Sequence, residues 1–287
     1  MTIAISNIAW NEPDESVSRV MREFGVAGVE IAPTKVWPAP LEATESEVRA
    51  YRDSWDRRGI RIVALQSLLF GRLDLTLFQS GQARAKMFEY LAGVIRLGSR
   101  LGASVCVFGS PKNRLAGTLN PDELEEIAVP FFRDVGQVAA ENGLTFCLEP
   151  NPTIYGCDYI TNSQEGLELA RKVNSPGFGL HLDAAAMTAS QETVPAALSR
   201  VGLALKHFHA SEIHLAPIGA GTVNHNEFAA ALRQIHYTGW VSIEMRSVAG
   251  SDDISRIRDS LRLVSAIYGE AASEGAPVAD RSRGGPS

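Results

Sequence analysis

Residues 81–108 read GQARAKMFEYLAGVIRLGSRLGASVCVF. Ala83, Met87, Tyr90, Leu91, Val94 and Leu101 recur at helical spacing and form one apolar stripe, as a helix covering a sheet requires. Gly102 then stands where a helix can end in the left-handed conformation. After it comes a short apolar run, 104–108, of strand length. The same unit recurs along the chain. Strands are expected at 3–8, 28–31, 60–66, 104–108, 144–149, 178–183, 205–209 and 241–244, with helical patterns between them. Asn120-Pro121-Asp122-Glu123 sets a cap, a first-turn proline and a capping-box acid in order, and Asn162 with Glu165 repeats the cap and acid. Gly25, Gly59 and Gly143, like Gly102, precede new strands.

Strict alternation of strand and helix implies parallel strands joined by right-handed crossovers. Eight units in 287 residues favour closure into a (β/α)8 TIM barrel, an α/β fold, over an open sheet. The first strand-to-helix turn carries no GxGxxG, which weighs against a dinucleotide-binding sheet. No internal linker interrupts the pattern, so residues 1–270 are expected to form one barrel domain. Residues 271–287 are rich in Gly, Ala, Ser, Pro and Arg without apolar periodicity, the composition of a disordered C-terminal tail.

Composition removes several function classes. Lys and Arg number 27 against 33 Asp and Glu, a net charge of -6, which offers no footprint for nucleic acid or an anionic membrane. Residues 1–10 lack the basic and apolar regions of a signal peptide, and no apolar run approaches the ~18 residues of a membrane span. Cys106, Cys147 and Cys157 have no CxxC spacing and read as reduced thiols, so a cytoplasmic setting is expected. Self-association as a homo-oligomer stays open.

The chemistry concentrates in the last four strands. Barrel sites assemble at the C-terminal strand ends, and residues two apart on a strand share a face. Strand five ends in Phe146-Cys147-Leu148-Glu149 and strand six in Leu180-His181-Leu182-Asp183; strand seven holds His207-Phe208-His209 and strand eight Ser242-Ile243-Glu244-Met245-Arg246. Polar residues alternate with apolar ones in each, and the polar set should face inward. Glu149, Asp183, His209 and Glu244 then converge. Three uncompensated carboxylates would repel one another, whereas a divalent cation would hold them together. One imidazole with three carboxylates suits manganese, and also cobalt, magnesium or zinc.

These residues make the chain resemble the xylose-isomerase-like barrels, which include ketose 3-epimerases, sugar-phosphate isomerases, inosose dehydratases and endonuclease IV. The resemblance spans about residues 1–268. It rests on the order Glu, Asp, His, Glu with gaps of 34, 26 and 35. Gly28-Val29-Glu30, Glu149-Pro150-Asn151-Pro152, His209-Ala210-Ser211-Glu212 and Gly219-Ala220-Gly221 with Val223 support it. The resemblance implies that Glu149 and Glu244 are ligands of one metal ion and also the pair that exchanges a proton beside a sugar carbonyl, through a metal-stabilised enediolate. It also implies departures. Where the family usually has a substrate-contacting His, a second Glu and an Arg, this chain has Ala186, Tyr155 and Leu215. The metal set is kept and the epimerase sugar contacts are not, which points away from a plain free ketohexose. Endonuclease IV is disfavoured, because Ala186 removes a ligand its cluster needs and the negative charge repels DNA.

Further candidates are weaker. Arg246, one pleat beyond Glu244, should reach the mouth and bind a carboxylate or phosphate. His181 and His207 share the inward face one pleat deeper, as core imidazoles or as supports of the site. Glu30 and Gln66, ending strands two and three, are candidates to bond substrate hydroxyls, and Tyr155, Glu212 and Lys112 to contact substrate. His225 joins Glu212 in lining the loop after strand seven. Lys112 and Arg114 also read as a solvated loop, 52–58 as a solvated charged helix face, and Trp10 and Trp37 as either sugar platforms or core. The expectation is a metal-dependent isomerase or epimerase of a sugar, sugar acid or related keto-polyol. A dehydratase of a cyclic keto-polyol is the alternative, since both reactions start with the same proton removal. A carbohydrate-binding protein without turnover is a third reading, which retention of both Glu149 and Glu244 disfavours.

Overall fold

The computed structural model describes residues 1–269. The expected tail at 271–287 lies outside them. Eight parallel strands close into a barrel in sequence order. They are β1 (Thr2–Ser6), β2 (Gly28–Ile31), β3 (Arg61–Leu65), β4 (Val105–Phe108), β5 (Thr145–Leu148), β6 (Phe178–Asp183), β7 (Leu205–Ser211) and β8 (Trp240–Glu244). The outer ring contains α1 (Asp14–Glu23), α2 (Pro33–Val36), α3 (Glu45–Asp56), α4 (Gly81–Leu101) and α5 (Pro121–Glu141). It continues with α6 (Ser163–Val173), α7 (Ala184–Ala189), α8 (Val194–Val201), α9 (His225–Gln234) and α10 (Asp253–Tyr268). Among the described residues no helix is long and apolar enough to cross a membrane.

Local chemistry sets the element ends. Asn120 accepts from the backbone N–H of Asp122 and Glu123, and Glu123 returns a bond to the Asn120 N–H, a complete capping box for α5. Asn162 caps α6 through the Glu165 N–H, but the Glu165 carboxylate bonds the N–H of Thr161, one residue earlier than in a standard box. Gly102 closes α4 at φ 86°, a conformation an L-residue adopts only under strain. In the charged run 52–58, Arg52–Asp53 and Arg58–Glu15 pair at the surface while Trp55 is buried beneath them.

Strand alternation divides the side chains between two environments. Ile3, Ile5, Phe108, Phe146, Leu180, Phe208, Val241 and Ile243 face outward into the large apolar core between sheet and helices. A smaller cluster, Ala4, Val63, Ala64, Val105, Val107 and Cys147, packs inside against Trp240. The rest of the interior is polar. Glu30, His181, His207, His209 and Ser242 are all buried there. Register sets the upper layer, with Asp183 beside His209, His209 beside Ser242 and Ser211 beside Glu244.

The close packing of the barrel floor is testable at Gly28. A Cβ there would lie 2.6 Å from the Trp240 ring and 2.9 Å from the Ala4 Cβ. Gly28→Ala should therefore cost about 1–3 kcal/mol in denaturant unfolding. Adding Trp240→Phe should recover part of that loss. An unchanged midpoint in the single variant would show that the floor is looser than described.

Candidate metal centre

Four consecutive strands deliver four side chains to the mouth. Asp183 ends β6 and also caps α7, so its Oδ1 accepts from the Ala186 N–H at 2.6 Å while Oδ2 accepts from the Ser211 hydroxyl. His209 on β7 is buried, and its Nδ1 lies 3.4 Å from Glu244 Oε2 and 4.0 Å from Asp183 Oδ2. Ligating atoms of Asp183, His209 and Glu244 lie within 4.8 Å of one another. Glu149, just past the end of β5, falls within the same distance of Asp183 and His181. Ligands on opposite sides of one first-row ion sit about 4 Å apart, so small side-chain adjustments would let the group enclose one cation. The His209 Nδ1 atom is buried without a hydrogen-bond partner, and it faces two of the carboxylates. That orphaned nitrogen and the oxygen-rich donor set fit a divalent metal.

The electrostatics of the polypeptide follow from crowding. Burial, then the charges of Glu244 and Asp183, push Glu149 up to about 8, against the opposing pull of His209 and Arg114. Burial and Glu244 raise Asp183 to about 6, opposed by His209 and by its bonds from Ser211 and Ala186. For His209, burial disfavours charge, but Glu30 and Glu244 outweigh it and hold the imidazole well above its usual range. For Glu30, burial likewise works against charge, and His209 with His207 more than compensates, keeping the carboxyl well below its usual range. His181 is driven the other way, by burial first and then by His209 and His207.

A cavity of about 300 Å³ opens above this group. Glu149, Asp183 and Glu244 line it together with the expected Gln66, Tyr155 and Glu212. Larger grooves of about 380 and 560 Å³ lie among outer helices and contain none of these residues. Several expected substrate contacts fall elsewhere. Glu30 is fully buried below the cavity, because β2 carries it into the lumen where His209 and Ser242 donate to it. His181 is sealed in the same layer, 4.0 Å ring to ring from His209. Lys112 and Arg246 are exposed and outside the lining, since the chain turns outward after β4 and β8. Glu212 reaches the cavity wall, yet its carboxylate mainly accepts from the N–H groups of Gly219 and Val223, folding the loop after β7 around itself. His225, expected beside Glu212 at the loop after strand seven, lies there, with its Nε2 3.5 Å from Glu212 Oε1 and its Nδ1 2.8 Å from the Tyr268 hydroxyl. Trp10 and Trp37 pack edge-on against Trp55 and Tyr51, as core residues.

Other residues of the site were given no role from the sequence alone. Ser211 and Ser242 share the inward faces of His209 and Glu244, and the alternation could have found them. Asn151, Ser67 and Leu215 line the cavity from loops with no periodicity. At Gly109 a Cβ would lie 2.4 Å from Glu149 Oε2, so this glycine leaves the room that the carboxylate occupies. Arg114, read as solvated, is fully buried. It donates to the carbonyls of Gly109 at 2.9 Å, Glu149 at 2.7 Å, Tyr159 at 2.5 Å and Ile160 at 3.3 Å. It therefore fastens the backbone on both sides of Glu149.

Comparison with known proteins places this geometry. Residues 19–267 match the family described as xylose isomerase-like TIM barrel. An L-ribulose 3-epimerase from Methylomonas sp. (strain DH-1) is 30% identical over 117 residues, so the chain spans only 41% of that relative's length and 41% of its own. Among solved structures, a D-psicose 3-epimerase with D-tagatose from Clostridium cellulolyticum H10 superposes with a TM-score of 0.79 at 19% identity, covering 93% of this chain and 99% of that one. A 3-keto-D-glucoside 4-epimerase from E. coli gives 0.76 at 19% identity, covering 93% and 99%. At such identities the structures share the fold.

The raised carboxyl and imidazole values give a pH expectation. A cation binds only the deprotonated ligands, so entry must displace the protons that Glu149 and His209 hold near pH 7. Manganese affinity should rise as pH goes from 6 to 9, and fall as pH drops through the Glu149 value of about 8. Calorimetry in buffers of different ionisation enthalpy should show about one or more protons released per ion at pH 7. Affinity independent of pH over that range would contradict the assignment.

Proposed function

The chain belongs to the xylose isomerase-like TIM-barrel family, and on that premise we propose that it is a divalent-metal-dependent isomerase or epimerase of a neutral keto-polyol. One observation carries the reading. Two carboxylates, Glu149 after β5 and Glu244 on β8, line one cavity with Asp183 in the same wall, and His209 is buried against Glu244. Binding alone needs no such pair, whereas inversion at a carbon, with a proton removed from one face and returned to the other, uses one. The narrowing to an uncharged substrate comes from the lining, which is acidic and, among the described residues, contains no Lys or Arg. The four carboxylates of the wall, Glu149, Asp183, Glu212 and Glu244, outnumber the two charges of a bound divalent ion, so a sugar acid or sugar phosphate would still meet net repulsion there.

Glu149, Asp183, His209 and Glu244 would hold the ion, with manganese the first choice from the donor set. When bound, the ion polarises the substrate carbonyl and acidifies the adjoining C–H. Glu149 or Glu244 takes that proton, and the other returns one to the opposite face. Asn151 and Tyr155, which line the cavity, would bond hydroxyls, Gln66 being already engaged by Ser6 and Ser67, while Val107, Ala185 and Leu215 would supply the apolar part of the wall. Three buried free cysteines suit a reducing cytoplasm.

The test uses manganese-loaded protein, keto-sugars and keto-cyclitols in D2O, read by mass and NMR. An isomer carrying one deuterium at the reacting carbon supports the reading, whereas loss of a water mass assigns the site to dehydration of a cyclic keto-polyol. His209→Ala should lose the ion and keep its far-UV circular dichroism, because mouth residues contribute little to the barrel core. Glu149→Gln and Glu244→Gln should each slow net conversion by roughly 10²–10⁴-fold. One of the two should still exchange the substrate's proton with solvent. If both keep their metal and convert substrate near the wild-type rate, the two-carboxylate mechanism is wrong.

A further inference from the structure

Glu30 comes from the opposite half of the chain to the four mouth residues and lies beneath them. Its carboxylate is 0% exposed. Its Oε2 accepts from His209 Nε2 at 2.9 Å and from the Ser242 hydroxyl at 2.8 Å, while Oε1 lies 3.5 Å from His207 Nε2. Among the described residues no Lys or Arg holds it. A carboxylate this deep is costly, and barrel stability alone is better served by an apolar side chain. The geometry offers a reason for keeping it.

An imidazole has two nitrogens, and a metal takes the one that carries a lone pair rather than a proton. Either nitrogen of His209 could serve in principle, and either would require a particular ring orientation. Glu30 removes the choice. Being an acceptor, it requires Nε2 to carry the hydrogen, and being 2.9 Å away it sets the plane of the ring. The nitrogen that remains is Nδ1, which faces Asp183 and Glu244 and has no hydrogen-bond partner among the described residues. Ser242, in register with His209 on the neighbouring strand, holds the same carboxylate oxygen and so restrains Glu30 in turn.

We infer that Glu30 is the positioning residue of the centre, fixing His209 so that Nε2–H is spent on β2 and Nδ1 is presented to the ion. The inference rests on the metal reading above. Carboxylates that orient a ligating imidazole in this way typically govern metal affinity by about 10–100-fold. A residue that only filled the barrel interior would not. Its removal would alter unfolding of the metal-free protein and leave the affinity of the folded protein alone.

Two measurements test this. In the first, manganese(II) dissociation constants are compared for the wild type and Glu30→Gln, with unfolding of each metal-free protein recorded alongside. Glu30→Gln keeps the shape but loses the charge and the obligate acceptor. It should bind manganese about 10–100-fold more weakly while remaining folded. Equal affinity in a folded Glu30→Gln protein would overturn the inference and leave the metal reading standing. The second measurement needs no variant, and so survives a failure of Glu30→Gln to fold. Histidine-¹⁵N NMR of the zinc(II)-loaded wild type should show His209 protonated at Nε2 and metal-bound at Nδ1. Binding through Nε2 would overturn the inference alone, whereas a wild-type protein that binds neither ion would overturn it together with the metal reading.

Discussion

Closing a parallel sheet on itself forces every second side chain of each strand into one narrow lumen, and the rest of this structure follows from how that lumen is filled. On the side of β3 and β4 the filling is apolar and small, ending in Val105 and Val107. On the side of β6, β7 and β8 it is polar, with three imidazoles packed together and three carboxylates within reach of the same histidine. A buried charge is tolerable only when it is paired and hydrogen-bonded. His209 is where that requirement is met. It touches Glu30 on one edge and approaches Glu244 and Asp183 on the other, so it joins the layer that stabilises the barrel interior to the layer open to the cavity.

The two layers have opposite electrostatic outcomes for the same reason. Glu30 has two imidazoles facing it and stays ionised despite complete burial. Glu149 faces two other carboxylates, and its proton is held until about 8. Neither value belongs to the side chain alone. Each reports the balance of neighbours, and at the mouth that balance raises the affinity of the carboxylates for a proton. The wall above extends the same character, because Lys112 and Arg246 are exposed outside the cavity and the buried Arg114 spends its guanidinium on backbone carbonyls.

Mechanical support comes from a residue that makes no side-chain contact with the mouth carboxylates. Arg114 places its guanidinium among backbone carbonyls from three segments, including that of Glu149 itself. Multiple charge-assisted bonds of this kind are among the stronger ones available to a buried side chain. They hold the segment after β4 against the segment after β5, with Phe78 stacked edge-on to Tyr159 nearby and Asp158 accepting from the N–H groups of Ala116 and Gly117. The position of Glu149 is thus set by its surroundings as much as by its strand.

By itself the sequence determined the periodic part of this protein. Strand runs at 28–31 and 178–183, the helix over 81–101 and the caps at Asn120 and Asn162 were legible because they depend on neighbours within a few residues. The convergence of Glu149, Asp183, His209 and Glu244 was legible for a related reason. Alternation on a strand tells which face a residue takes, and a closed barrel has only one inner face. Tertiary structure decided what lies out of periodicity or far apart in the chain. Glu30 meets His209 across 179 residues, and Arg114 reaches the Ile160 carbonyl across 46, separations over which no local pattern carries information. Arg246 ran the opposite way. The alternation placed it inward beyond Glu244, but the strand had already ended, and with the pairing gone its direction was free to change. Periodicity holds only while the hydrogen-bonded ladder that enforces it continues.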